Sequence, residues 1–507
     1  MIVDANPYLP LLVATFVIAT AGLVYELIAG TVSSYLLGDS VYQFSLVIGL
    51  FMSAMGIGAW LSRHVEHIES AFIVTQVALA TAGGLSALAL FNAFVLIDNY
   101  DALLFTLCIL IGTLVGLEIP LVLRILERRA ELRINISNIL TADYIGALAA
   151  ALLFPLVLVP QLGLIRTALV FGLLNLATAL LAARLFHLPR TLWLILPSLA
   201  VLCTAFVNSE RMVGFIEARL FDSEIIFSED TPYQRLVVTA ERDRVQLFLN
   251  GNLQFDTLDE YRYHESLVHP VMSRASRRNN VLILGGGDGM GAREVERWPD
   301  VDHITLVDID PVMTSLFRDN DRLASLNGRS LNDPRVEIVN EDGWKFLESN
   351  DQLYDVIILD LPDPHDLQIS RLYSRSFYSL LAGHMSHDGL LVTQATSPLF
   401  AREAFWCIEE TLGATLSPLD KGETFYTLPY HAYVPSFGEW GFVMAGMRIP
   451  RNPHAAIPDG LRFFEPSMFE EMQYFPDDMA KVDIEENTII DHPLPAYYEK
   501  GWDHWFR

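Results

Sequence analysis

Charge and cysteine are both scarce in this chain. Only 19% of its 507 residues are charged, against about 25% in an ordinary soluble protein, while 52% are hydrophobic. That composition excludes a disordered chain and one soluble along its whole length. Three cysteines, Cys108, Cys203 and Cys407, are too few and too scattered for a disulfide framework or a metal cluster, which predicts reduced thiols and a cytosolic soluble half. Basic charge is short as well. A formal net charge of -27 argues against nucleic acid, whose phosphates need a basic footprint, and favours small cations as partners. The acidity is unevenly spread: residues 1–208 hold 11 Asp and Glu against 8 Arg, and the remainder holds 50 against 26 basic residues. An apolar half therefore precedes an acidic one.

At roughly 150 residues per domain the length allows about three folding units. Seven hydrophobic runs lie near Leu9–Ala29, Val41–Leu61, Ala71–Phe94, Ala102–Leu123, Ile139–Val159, Leu164–Phe186 and Thr191–Val207. Runs of about 20 residues can cross a bilayer as helices, so residues 1–208 are predicted to form an α-helical, multi-pass membrane bundle. The first run lacks the basic leader of a cleaved signal peptide and carries Asp4, Pro7 and Pro10 instead, so it counts as a helix. The loops after the second, fourth and sixth runs carry Arg63, then Arg124, Arg128, Arg129 and Arg133, then Arg184 and Arg190, whereas the other loops carry only Arg166. The positive-inside rule then predicts an outside N-terminus and a cytoplasmic C-terminal half at the cell membrane. Glu26, Glu118 and Asp143 fall inside the runs. Intramembrane carboxylates are costly and read by default as a cation or proton pathway; the alternative is a hydrogen-bonded or interfacial structural role, favoured here because no transporter-like repeat is visible. Gly56, Gly58, Gly83 and Gly84 predict close helix packing rather than a pore.

After a connector at Asn208–Arg219 the period changes. Leu236–Thr239 and Val245–Leu249 alternate, with a turn at Asn250-Gly251, which predicts a small antiparallel sheet. Asp259–Met272 (DEYRYHESLVHPVM) has helical spacing with Asp259 as its cap, and closes a subdomain at residues 220–272. Strand patterns then recur in VLILGGGDG (Val281–Gly289), HITLVDID (His303–Asp310), RVEIVNEDG (Arg335–Gly343), YDVIILDLPDP (Tyr354–Pro364) and GLLVTQATSP (Gly389–Pro398). Strands spaced by helices predict an α/β, Rossmann-like, doubly wound parallel sheet over residues 273–447, followed by a tail at 448–507. Ligands bind beyond the carboxyl ends of such strands, so the chemistry belongs at Gly285–Gly289, Asp308, Asp342 and Asp360. Asp308 follows the glycine turn at the distance where an acid accepts from ribose hydroxyls; otherwise it is a helix cap. Asp288, inside the turn, would repel a pyrophosphate or an amino-acid carboxylate, so the expected ligand is a nucleoside bearing positive charge.

The ordered set of Tyr233-Gln234, DEYRYHE, GGGDG, VDID, EDG and DLPDP resembles the aminopropyltransferases of the spermidine synthase family, from about Asp222 to Met447. With the apolar half and the tail LRFFEPSMFEEMQYFPDDMA, the whole layout is similar to the bacterial membrane-bound members. The resemblance implies a class I methyltransferase-like fold and transfer of an aminopropyl group from decarboxylated S-adenosylmethionine to putrescine, giving spermidine and methylthioadenosine. It implies no metal and no cofactor beyond that co-substrate; a homo-oligomer is compatible with it. Carried over by motif, Gln234, Gly285, Gly287, Asp308, Asp342 and Gly343 hold the nucleoside, Asp342 reaching the adenine amino group. His264, Tyr263, Asp288, Asp363 and, in the looser match HAYVPSFGEWGF, Tyr433 line the amine channel, and Asp360 is the catalytic base. Asp308 stands where many relatives have the longer Glu. Pro362 stands where relatives have Ser or Thr, and DLPDP continues as His365-Asp366-Leu367 where they have a Gly-Pro pair, so both acids are kept while the covering loop differs. Two other readings stay open: a membrane-attached methyltransferase using intact S-adenosylmethionine, disfavoured by Asp288, and a non-catalytic polyamine-binding or transport protein, disfavoured by Asp360. Tyr261 and Tyr263 read equally well as core aromatics.

Overall fold

The computed structural model describes residues 8–37, 40–96, 100–127, 132–209, 211–212, 223–416 and 423–506. Asp4, Pro7, Arg128, Arg129, Arg219 and Asp222 lie outside them. The chain divides into two compact units, Met1–Ile225 and Ile226–Arg507.

The first unit is helical: Tyr8–Leu37, Ser40–Leu61, Ile68–Gly84, Ser86–Leu96, Tyr100–Leu126, Leu132–Leu153, Val159–Leu185 and Leu192–Val207. Six stretches among the described residues are long and apolar enough to cross a membrane, where the sequence predicts seven runs. The difference lies at Ile136–Leu185, a 50-residue stretch holding the fifth and sixth runs. No charged residue separates those two runs, and a π-helical turn at Phe154–Leu158 carries the first of them onward. The helical backbone breaks at Gly163, whose φ of 69° and ψ of 174° are not helical. Small residues govern the packing. A Cβ at Gly58 would stand 2.0 Å from the Thr113 carbonyl oxygen, and one at Gly116 2.1 Å from that of Met55, so the helices Ser40–Leu61 and Tyr100–Leu126 meet backbone to backbone. Gly83 abuts Tyr25 and Gly84 abuts Gly172, but Gly56 has nothing within 4 Å and takes no part in helix packing.

The second unit opens with a four-stranded sheet in the order β1 (Glu224–Asp230), β2 (Arg235–Glu241), β3 (Arg244–Leu249), β4 (Asn252–Asp256). Asn250 and Gly251 connect β3 to β4 with φ of 50° and 84°, the positive values that a two-residue hairpin needs. The helix Glu260–Arg274 follows. Asp259 stands at its N-terminus without capping it; its carboxylate accepts instead from the backbone N–H and hydroxyl of Ser436, at 2.6 and 3.0 Å.

Seven strands form the main sheet: β5 (Asn280–Gly285), β6 (His303–Val307), β7 (Val336–Val339), β8 (Tyr354–Asp360), β9 (Met385–Gln394), β10 (Tyr426–Val434) and β11 (Gly438–Gly446). Their order is β10-β11-β9-β8-β5-β6-β7. The five expected strands are parallel to one another, while β11 runs antiparallel to β9 and to β10, so the sheet is mixed and not purely parallel. Three residues join β10 to β11, and a connection that short can return only antiparallel. The tail folds back onto this unit. Glu265 on the helix Glu260–Arg274 accepts the backbone N–H groups of Arg462, Phe463 and Phe464, each at 2.8 Å. The last helix, Pro493–Phe506, packs on Arg402–Gly413.

Candidate active site

From β5 the chain builds the sheet outward through β6 and β7, then crosses back to lay down β8 and β9 on the other side. The crevice at such a reversal is where open α/β sheets bind ligands. Here it lies between β5 and β8, whose register pairs Gly285 with Asp360. The glycine turn after β5 and the acid ending β8 are therefore neighbours: the Gly286 N–H donates to the Asp360 carbonyl at 3.1 Å, and a Cβ at Gly286 would stand 2.9 Å from Asp360 Oδ2. A cleft of about 1090 Å³ opens there, lined by every residue that the motifs assign to the nucleoside, the amine channel or the base.

On the side of β6 and β7, Asp308 accepts from the N–H groups of Gly287 at 3.0 Å and Asp310 at 2.8 Å. Burial pushes its carboxyl up to about 6 in spite of both bonds. Asp310, not Asp308, caps the helix Pro311–Asp319 by accepting from the Val312 N–H, which removes the cap reading of Asp308. Asp310 also accepts from Gln234 Nε2 at 3.1 Å and from the Thr231 hydroxyl at 2.8 Å. Asp342 caps the helix Gly343–Ser349 through the Trp344 and Lys345 N–H groups, and its other oxygen meets the Arg371 guanidinium. Gln234 and Asp342 thus spend part of their hydrogen-bonding capacity inside the protein.

On the other side, Asp360 Oδ1 accepts from the Tyr263 hydroxyl at 2.7 Å. Tyr263 is buried against Phe437 and Phe442, so it is a core aromatic whose polar end reaches the site. Asp363 accepts from the Tyr498 hydroxyl at 2.9 Å and from Gln394 Nε2 at 3.3 Å, and burial raises its carboxyl to about 6 against the Tyr498 bond. Asp288 is buried with Oδ1 on the Met290 N–H at 2.8 Å; burial lifts it to about 6, with His264 opposing and Asp360 adding to the rise. Burial alone would lower His264. Its Nδ1, however, lies 2.8 Å from Glu260 Oε2, and that carboxylate lifts the imidazole to about 9. Glu260 is held in turn by both terminal nitrogens of Arg293, at 3.1 and 2.9 Å. Tyr433 is 54% exposed at the rim.

Among the lining groups that escaped the sequence reading are Gln394, Tyr498 and Trp502. Gln394 ends β9, and the strand-end rule that selected Asp360 applies to it equally. Tyr498 and Trp502 belong to the last helix, where the aromatic-rich AYYEKGWDHWF was the only signal. Tyr498→Phe should weaken the binding of a cationic ligand in this cleft roughly tenfold, the usual worth of a hydrogen bond to a charged group. Calorimetric titration of the variant with a diamine would test this, and native affinity would discard Tyr498 as a positioning residue.

A family model described as the spermine/spermidine synthase domain matches residues 260–448. The polyamine aminopropyltransferase of Leptospira interrogans is 42% identical over 499 residues, covering 97% of this chain and 98% of that protein. Polyamine aminopropyltransferase 2 of Ralstonia nicotianae is 44% identical over 508 residues, covering 97% and 98%. The crystal structure of spermidine synthase from Thermotoga maritima is similar with a TM-score of 0.45 at 23% identity, covering 50% of this chain and 85% of that one. Likeness along nearly the full length of these relatives, together with a cleft that gathers the motif residues, makes this chain a member of the polyamine aminopropyltransferase family.

Proposed function

We propose that this enzyme transfers the aminopropyl group of decarboxylated S-adenosylmethionine to putrescine, releasing spermidine and methylthioadenosine. The observation that carries this reading is the Tyr263–Asp360 pair at the β5–β8 crevice, with Asp288 and Asp363 lining the same cleft. Carboxylates at that density suit a ligand whose reacting end is cationic. A primary amine of putrescine attacks the methylene bonded to the sulfonium; the C–N bond forms, and the C–S pair returns to sulfur as a neutral thioether. The sulfonium is already an activated leaving group. What remains is the acceptor's proton, because an alkylammonium of pKa about 10 has no free lone pair at neutral pH. Proximity to the sulfonium lowers that pKa, and Asp360 accepts the proton as general base, its carboxylate fixed by the Tyr263 hydroxyl.

Asp288 and Asp363 attract and hold the diamine. His264, cationic through Glu260, can only donate hydrogen bonds in that state, so it offsets the charge of Asp288 and Asp360. Gln234, Asp308, Asp342 and Gly343 take the nucleoside. Incubating the purified protein with decarboxylated S-adenosylmethionine and a panel of diamines, with products identified by mass, tests the reading. Methyl transfer from intact S-adenosylmethionine, with no aminopropylated product, would put the methyltransferase alternative in its place.

The raised carboxyls set the pH dependence. Asp288 and Asp363, lifted to about 6, are charged above that value and lose their charge as pH falls through it. The KM for putrescine should therefore be low above about pH 7 and climb below about pH 6. Initial rates across that range would measure it, and a flat acceptor KM down to about pH 5 would contradict the assignment.

We further propose that residues 1–208 are embedded in the cell membrane, with the N-terminus outside and residues 220–507 in the cytoplasm. Six long apolar stretches support embedding, the break at Gly163 supports an odd number of crossings, and the loop arginines support the orientation. Protease treatment of sealed right-side-out vesicles should spare the second unit; its digestion there would reverse the topology.

A further inference from the structure

The acids of the apolar helices come from distant points of the sequence, yet Glu26, Glu118 and Asp143 all line one cavity of about 150 Å³ inside the first unit. Its other walls include Ile18, Leu23, Phe51, Val115, Ile119 and Val122. Glu118 is 1% exposed. One of its oxygens accepts from Gln76 Nε2, and the other is buried with no hydrogen-bond partner. An orphaned carboxylate oxygen in an apolar interior is among the costliest arrangements a protein can keep, and within a membrane segment it points to function by default.

The arrangement also says which cation fits. Among the described residues no group of three or more His, Cys, Asp or Glu side chains is placed to hold a metal ion, so the three carboxylates share a cavity without converging on one point. Separated negative groups joined by hydrocarbon walls complement an elongated ion, charged at its ends and apolar between. The volume equals that of an engineered cavity of about 150 Å³ that accepts benzene, and a four-carbon chain is of similar bulk.

We infer that this cavity binds a linear aliphatic diammonium ion, its ends on the carboxylates and its methylenes against the apolar walls, at a site separate from the transfer cleft. Choosing 1,4-diaminobutane as the probe rests on the proposed reaction. Its two positive charges offset the buried negative charge, and its N–H groups supply the hydrogen-bond partner that Glu118 lacks.

Equilibrium dialysis of the full-length protein in detergent against radiolabelled 1,4-diaminobutane tests the inference, with methylthioadenosine formation assayed on the same preparation. The expected result is a second bound diamine per chain beyond that of the transfer cleft. It should be lost, or weakened more than about tenfold, in Glu118→Gln while turnover stays unchanged, and 1-aminobutane should not replace it. Asp143→Asn and Glu26→Gln, at less buried positions, repeat the measurement if Glu118→Gln fails to fold. A native protein that binds one diamine, or variants that all keep the second with turnover intact, would overturn the inference alone. Equal binding of 1-aminobutane would overturn the two-ended recognition on which it stands. Absence of turnover, with a diamine still lost on Glu118→Gln, would overturn the transferase reading and leave this site standing.

Discussion

Asp360→Asn should lower turnover on putrescine roughly 10²–10⁴-fold, the usual loss on removing a general base, while methylthioadenosine binding stays near native. The amide has the same shape, still accepts from the Tyr263 hydroxyl, and leaves the β5–β8 register undisturbed. It cannot take a proton from an ammonium. Stability should therefore change little, and the defect should appear in kcat more than in the acceptor KM. Rapid-quench measurement of methylthioadenosine release, beside calorimetric titration of the nucleoside, separates these quantities. Near-native turnover in this variant would refute the role of Asp360 and require another group to take the ammonium proton.

Gly285→Ala should be nearly as damaging for a different reason. Gly285 has φ of 83°, which costs an L-residue about 1–2 kcal/mol. Its added Cβ would also stand 2.0 Å from the Asp360 carbonyl oxygen and 2.8 Å from the carbonyl carbon. Those are backbone atoms of the adjacent strand end, so relief requires the end of β8 to move, at a further cost of about 1–3 kcal/mol for overpacking. A displacement of about 1 Å at a reacting group is enough to lose about 10² in rate. The variant should thus lose about 2–5 kcal/mol of stability, the sum of the two costs, and most of its turnover, whereas Asp360→Asn loses turnover alone. Denaturant melts of both proteins in parallel would distinguish them. A Gly285→Ala protein of native stability and activity would mean that the β5–β8 contact is not what positions the base.

Much of the second unit was legible from the chain itself. Hydrophobic runs broken by glycine or acid mark the ends of β5, β6, β7 and β8, and the strand-end rule leads from those breaks to Gly285, Asp308, Asp342 and Asp360. Two local periodicities suffice, because a parallel sheet buried on both faces must place its polar residues where strands stop. Partnership was less legible. Asp259 has the sequence context of a helix cap but holds Ser436, since a loop about 177 residues away competes for its oxygens. Gln234 and Asp342 carry motif signals for a nucleoside, yet Asp310 and Arg371 engage them.

Composition and periodicity by themselves determined that an apolar helical half precedes an acidic α/β half, and which polar residues stand at the strand ends of the latter. Tertiary structure alone decided that β10 and β11 turn the sheet mixed, that Tyr498 from the last helix closes on Asp363, and that Glu26, Glu118 and Asp143 meet in one cavity. The division has a physical cause. Strand and helix periods are set by near neighbours in the chain and survive in any reading of it, whereas a hydrogen bond or shared cavity between residues more than about a hundred positions apart is chosen by packing, which no local pattern records.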